Sequence, residues 1–171
     1  MAEVFIGIGS SINRLENICA GITALRRVFG ELRISPVYES EAVGFAGGNF
    51  YNLVVGLHTA LSPQTLIAQL KAIEVQQGRP EKAIKFAPRT LDLDLLLYDK
   101  LIDKHIDLPR AEITKNAFVL KPLAELAPLL RDPVSGETYQ TLWANYPKEK
   151  QKLWLLELAL EPFLYTHTDR E

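Results

Sequence analysis

Asp92 and Asp94 stand two residues apart in the run Arg89-Thr90-Leu91-Asp92-Leu93-Asp94-Leu95-Leu96-Leu97. Side chains on a strand alternate between faces, so the two carboxylates share one face and Leu91, Leu93 and Leu95 take the other. Two strand rises put their Cα atoms about 7 Å apart. Ionised carboxylates that close repel each other, and burial makes each worse. A hard divalent cation relieves both. Mg²⁺ is commonly held by one or two carboxylates, with phosphate oxygens and water filling its shell. Directly upstream, Arg79, Lys82, Lys85 and Arg89 set four cations against one acid, Glu81, and Phe86 lies among them. Cations beside an acid pair suit a phosphate held above a metal. The plainer reading is a solvated face with Arg89 or a lysine as ion-pair partner. The surrounding leucines weigh against it.

Several elements must position that pair. Val4–Ile8 reads as a buried strand. Ser10, Ser11 and Asn13, with Glu16 three residues beyond Asn13, signal a helix start close to a capping box. Leu15, Ile18, Ile22, Leu25 and Phe29 then form one apolar stripe, and Gly30 stops the helix. Leu32–Ser40 reads as a strand, with Pro36 marking an edge or a bulge. The glycine-rich loop 44–49 leads into a strand at Phe50–His58. Ser62-Pro63 starts a helix that Gly78 ends. Thr90–Tyr98 is read as a central strand, and Asp99-Lys100 as a turn. A loop at 109–114 leads to a helix near Asn116–Leu126, and the tail predicts a helix over Lys150–Leu160. The order strand–helix–strand–strand–helix–strand predicts an α+β, ferredoxin-like αβα sandwich with a central, mainly antiparallel sheet.

The 171 residues suit a single domain, with 1–128 as core and 129–171 as an extension packed on it. Hydrophobic residues make up 47% and charged residues 23%, which argues against disorder and coiled coil. The net charge of −2 gives no bulk field for nonspecific nucleic-acid binding. The single cysteine, Cys19, fits a reducing cytoplasm and reads as a small core residue. No secretory signal and no membrane-spanning run is read. His58, His105 and His167 lack metal-ligand spacing. Trp143 and Trp154 read as packing anchors.

The phosphate compound is narrowed by what is missing. Gly7-Ile8-Gly9-Ser10 begins like G-x-G-x-x-G but lacks the third glycine, and no G-x-x-x-x-G-K-[ST] occurs. The two glycines are read instead as permitting close packing of strand against helix. Side chains and metal would then bind the phosphates.

The stretch Lys85-Phe86-Ala87-Pro88-Arg89-Thr90-Leu91-Asp92-Leu93-Asp94-Leu95-Leu96 resembles the signature of the hydroxymethyldihydropterin pyrophosphokinases. These folate-pathway enzymes transfer diphosphate from ATP to a pterin alcohol and release AMP. Ile6-Gly7-Ile8-Gly9-Ser10, Phe50-Tyr51-Asn52, the run from Ile73 to Arg79 and that from Phe118 to Leu123 extend the resemblance over Val4 to Pro128. It implies that Asp92 and Asp94 hold two Mg²⁺ ions and that Arg89 grips phosphate as a catalytic group. It implies ATP contacts from Glu74, Arg79, Lys82, Arg89, Leu95 and Arg110. It implies a pterin between Phe86 and Phe118, hydrogen-bonded by Asn52, with Ser40, Val43 and Phe50 beside it. Loops 44–49 and 79–89 would close over the substrates. ATP and a pterin alcohol would be the partners, with no nucleic acid or membrane, for a monomer or weak homodimer.

The chain also departs from the family pattern. Lys71 stands where a glutamine is common, Glu81 where a second arginine is, and Phe86 where a tryptophan is. Arg110-Ala111 and Asn116 replace a His-Tyr pair and a later arginine. These changes imply weaker ATP binding than in a typical member, or a different loop arrangement. The alternatives are a weakly active or inactive paralogue that binds pterin or nucleotide, and an RNA-binding sheet. The acidic balance and the leucine-rich strand argue against the RNA reading.

Overall fold

The computed structural model describes residues 1–41, 48–78, 91–157 and 160. Its centre is β1 (Ala2–Ser10), flanked by β4 (Phe50–Thr59) and β5 (Asp92–Tyr98). Both neighbours run antiparallel to β1, from Ala2 opposite Thr59 to Ser10 opposite Tyr51 on one side, and from Val4 opposite Tyr98 to Gly9 opposite Asp92 on the other. With β2 (Arg33–Ile34), β3 (Tyr38–Ser40) and β6 (Leu153–Leu155), the sheet has six strands in the order β5-β1-β4-β3-β6, and β2 also pairs with β4. This is the ferredoxin-like arrangement, antiparallel throughout.

The alternation of side chains splits the core in two. Val4, Ile6 and Ile8 of β1 and Leu53, Val55 and Leu57 of β4 point to one face. There they meet α1 (Arg14–Phe29) and α2 (Pro63–Gln76) through Ile18, Ile22, Leu25, Leu66, Leu70 and Ile73. Phe5, Val54 and Leu96 point to the other face, against α4 (Ala117–Leu126) and α5 (Tyr139–Ala144). The short α3 (Glu112–Lys115) leads into α4.

α1 does not begin with the expected capping box. Asn13 is left-handed (φ 41°) and its side chain makes no cap hydrogen bond. Complete burial of Ile18, Ile22 and Leu25 outweighs that loss. Each such side chain contributes about 1.5–3 kcal/mol, against about 1 kcal/mol for a cap. Gly30 ends the helix at φ 81°, its N–H donating to the Arg26 carbonyl at 2.9 Å. Ser62 caps α2 as expected, its side chain accepting from the Thr65 N–H.

Further sequence expectations change. The strand expected at Leu32–Ser40 is broken into β2 and β3. Pro36 has no N–H to donate, and beside it Ser35 replaces the ladder. The Ser35 N–H donates to the Val54 carbonyl at 2.9 Å, and its Oγ accepts from the Val54 N–H at 2.8 Å. β5 is not central: it ends the strand order, and its leucines are buried by the helical layers above and below. The expected tail helix is absent over the described residues. A 3₁₀ turn at Lys148–Lys150 precedes β6, which pairs with the outer edge of β3. The ladder satisfies N–H and C=O groups that β3 would otherwise present to solvent. Trp154 is 44% exposed there and joins neither core cluster of the described residues, whereas Trp143 stacks on Tyr146 with ring centroids 5.6 Å apart.

Candidate active site

On the α4 side of the sheet, β1 carries no side chain at Gly7 and Gly9. The resulting cleft encloses about 290 Å³. Gly7 lies opposite Asp94 and Gly9 opposite Asp92, so the glycine floor adjoins both carboxylates. A Cβ at Gly9 would stand 2.8 Å from the Asn52 Oδ1, and one at Gly7 3.4 Å from a Leu96 methyl. These glycines therefore make room for the cleft and do not serve strand–helix packing, contrary to the sequence reading. That task falls to Gly21 of α1, where a Cβ would meet Leu91 at 3.1 Å.

Asp92 and Asp94 project into the cleft from one side while Leu91, Leu93 and Leu95 are buried against α1 and α2, as the alternation requires. A register shift opposite Phe5 and Ile6 marks a β-bulge beyond Asp94. It returns Leu97 to the α4 face beside Leu96, so the two acids are followed by a sealed apolar wall.

The opposite side is polar and buried. Asn52 of β4 donates through Nδ2 to the Ser40 Oγ at 3.0 Å. This fixes the amide so that its oxygen lies on the Gly9 side. Phe50 and Phe118 line the same cleft from β4 and α4.

Arg110 approaches the carboxylates from the segment after β5. Its N–H donates to the Leu96 carbonyl at 3.0 Å. Its guanidinium lies 3.0 Å from Glu112, 3.6 Å from Asp94 and 3.9 Å from Asp107. Burial works against its charge, but Asp94, Glu112 and Asp107 together outweigh it and hold the group more firmly protonated than usual. Three carboxylates thus lie around this guanidinium.

The structure brings Ser40, Phe50, Asn52, Asp92, Asp94 and Phe118 around one cleft, with Arg110 at its edge. It places Glu74, buried, in the last turn of α2 and outside the cleft lining. It places the Leu95 side chain in the α1/α2 core. Val43, Arg79, Lys82, Phe86 and Arg89 lie outside the described residues, as do most of loop 44–49 and all of 79–89. Sequence reasoning missed Glu41 and Glu112 as lining residues, and flagged Asn116 only as a departure. Their signal was weak, because each enters the cleft through tertiary packing and not through a local pattern. Among the described residues, no three His, Cys, Asp or Glu side chains cluster as a metal cage. No helix among them is long and apolar enough to cross a membrane.

An acid pair and an amide-and-aromatic wall thus meet at one cleft of a ferredoxin-like sheet. A family model described as 7,8-dihydro-6-hydroxymethylpterin-pyrophosphokinase matches residues 5–128. The 2-amino-4-hydroxy-6-hydroxymethyldihydropteridine pyrophosphokinase of Aquifex aeolicus is 38% identical over 138 residues, covering 78% of this chain and 86% of the relative. The protein of the same name from Pseudomonas aeruginosa is 41% identical over 154 residues, covering 86% and 93%. In fold, the chain is similar to Plasmodium falciparum HPPK-DHPS with pteroate, with a TM-score of 0.65 at 13% identity. That match covers 85% of this chain and only 42% of the Plasmodium chain. The chain belongs to the 7,8-dihydro-6-hydroxymethylpterin-pyrophosphokinase family. The activity of that family is ATP-dependent diphosphate transfer to hydroxymethyldihydropterin in folate biosynthesis.

Proposed function

We propose that Asp92 and Asp94 hold the Mg²⁺ of ATP while Asn52, Ser40 and Phe118 hold the pterin, so that the pterin hydroxymethyl oxygen meets the β-phosphorus at the mouth of the cleft. One observation carries this reading. Both aspartates open onto the same glycine-floored cleft as the Asn52 amide and the Phe118 ring.

The donor set fits the metal. Two carboxylates on one strand face, with Asp94 39% exposed at its side chain, are what Mg²⁺ takes when phosphates and water complete its shell. We assign two ions to this pair. Bound there, they would neutralise charge on the phosphoryl oxygens. The protein's own groups supply position. A cleft of about 290 Å³ suits one flat bicyclic ring. The Asn52 oxygen suits a ring amino donor, and Phe118 offers a face for stacking. Phe86 would take the opposite face, with Val43 and Phe50 at the rim. Arg79, Lys82 and Arg89 would meet the triphosphate by their place in the motif, with Glu74 on the nucleoside side. Leu95 can contribute only its main chain, because its side chain is core. The hydroxyl oxygen bonds to the β-phosphorus as the bond from that phosphorus to the α-bridging oxygen breaks. AMP leaves with the electron pair, and the hydroxyl proton passes to water. Such a transfer depends on in-line placement and charge neutralisation more than on covalent help.

The test is AMP release that requires both the pterin alcohol and Mg²⁺. Asp92→Ala and Asp94→Ala should each lower turnover by more than about a hundredfold with the fold intact. Near-normal turnover in either would remove the metal assignment. Arg110 is already shared among three carboxylates, so it adds little net charge for phosphate. We therefore expect a higher ATP KM than in a family member whose cation at this position is not shared in this way, and an equal or lower one would overturn that expectation.

A further inference from the structure

We propose that Gln151 is a positioning residue for the metal–nucleotide site, acting on Asp94 through Asn116, Glu112 and Arg110. The proposal rests on the assignment of Asp94 to the metal.

Gln151 lies beyond residues 5–128, the part matched by the family model, just before β6. Its Oε1 accepts from the Ala117 N–H at the start of α4, at 2.7 Å. Its Nε2 donates to the Asn116 Oδ1 at 2.8 Å. The Asn116 Nδ2 donates to the Glu112 Oε1 at 3.1 Å. The second Glu112 oxygen accepts from the Arg110 Nε at 3.0 Å. Arg110 then reaches Asp94 at 3.6 Å. Gln151, Asn116 and Glu112 are each partly buried, and so held away from much competing water.

The direction of every link follows from its first member. A backbone N–H can only donate, so Gln151 must turn its oxygen to Ala117 and its NH₂ to Asn116. Asn116 must therefore turn its oxygen to Gln151 and its NH₂ to Glu112. A carboxylate can only accept, so Glu112 suits Asn116 on one side and Arg110 on the other. The chain thus runs without conflict from a backbone donor to a guanidinium donor. Glu112, fixed in this way, holds Arg110 at the shorter distance and leaves Asp94 the longer one. Without that hold, Arg110 could swing into a two-pronged pair with Asp94 and compete with a cation for its oxygens.

Two variants separate this from simple helix capping. Gln151→Ala removes both bonds. Gln151→Glu keeps an acceptor for Ala117 but sets a carboxylate against Asn116. That turns the amide over and points its oxygen at Glu112. The readouts are amide hydrogen exchange at Ala117 in the ligand-free protein, and calorimetric affinities for Mn²⁺ with a non-hydrolysable ATP analogue and for the pterin alcohol alone. Ala117 exchange should quicken in Gln151→Ala and stay slow in Gln151→Glu. Both variants should weaken Mn²⁺–nucleotide binding about tenfold, as expected when an outer partner of a metal ligand is lost. Pterin affinity should stay unchanged. Wild-type nucleotide affinity in Gln151→Glu would reduce Gln151 to a cap and overturn the proposal. Equal losses for nucleotide and pterin would overturn it too, as general loosening. Asp94→Asn is measured alongside. If it weakens Mn²⁺–nucleotide binding and the Gln151 variants do not, the relay fails and the metal assignment stands. If Asp94→Asn has no effect, the metal assignment fails and the relay with it.

Discussion

At Gly9 the absent side chain leaves room for the cleft. The backbone there is not left-handed, so alanine is conformationally permitted. The obstacle is local: the new Cβ would meet the Asn52 Oδ1 at 2.8 Å, and the amide must move. Moving it disturbs the bond to Ser40 and the acceptor proposed for the pterin. Gly9→Ala should therefore fold normally and raise the KM for the pterin alcohol about tenfold, the effect of one lost hydrogen bond of about 1.4 kcal/mol. The ATP KM should barely change, and steady-state kinetics with each substrate varied would show the split. Cys19 illustrates the opposite case, a reactive group made inert by its surroundings. It is 1% exposed, and burial pushes its thiol pKa up. It should react with a disulfide reagent only at the rate of unfolding, so fast labelling in native buffer would refute its place in the core.

At the scale of elements, Gly21 permits the close approach of α1 to Leu91, the residue leading into β5 and its acid pair. A β-branched side chain there would press on the Leu91 methyls, the nearer of which already lies 3.1 Å from a Cβ. Gly21→Val should cost about 1–3 kcal/mol of stability by overpacking, read from a denaturant midpoint at unchanged slope. Loss of turnover beyond the unfolded fraction would show that β5 had moved as well. The elements legible in the sequence were those whose own periodicity coincides with a buried face. The stripe from Ile18 to Leu25 in α1, the Ser62-Pro63 start of α2 and the alternation around Asp92 and Asp94 are examples. The tail was misread because Leu153-Trp154-Leu155 carries no signal of its own for a strand. Its conformation is decided by β3, more than a hundred residues earlier, which offers a row of backbone groups to pair with. The edge position of β5 was hidden for a similar reason. Helices cover both of its faces, so it is as apolar as a central strand. The acid pair and the Asn52 wall could be read because each sits in a local motif. Gln151 could not, because only the packing of the tail on the start of α4 brings it to Asn116. Glu112 could not, because it enters the cleft through the fold of the segment after β5 and not through a local pattern.

At the scale of the whole molecule, buried phenols join the segments around the α4 face. Tyr139 of α5 is fully buried and donates to the Asp132 Oδ1 at 3.0 Å. Tyr38 of β3 donates to Glu125 of α4, and Tyr146 donates to the Lys115 carbonyl at 2.7 Å. Burial is the first cause that raises the pKa of all three, and the carboxylates Asp132 and Glu125 raise Tyr139 and Tyr38 further. The sign follows directly. An acid whose folded pKa lies above its unfolded value is harder to ionise in the native state, so its contribution is complete below the unfolded value, about pH 10 for tyrosine. It is lost as pH climbs from there toward the folded value. The protein should therefore lose thermal stability steeply above about pH 10, in a range where carboxylates no longer titrate. Tyr139→Phe should cost about 1–2 kcal/mol at pH 7 by taking one donor from a buried carboxylate, which keeps the Ser135 N–H at 2.8 Å. The same variant should show a shallower alkaline fall, because one of the three phenols no longer titrates. Melting temperatures from pH 7 to 11 for both proteins check this. Parallel curves above pH 10 would mean that the Tyr139 phenol ionises as easily in the folded protein as in the unfolded chain, and that its burial against Asp132 does not hold in solution.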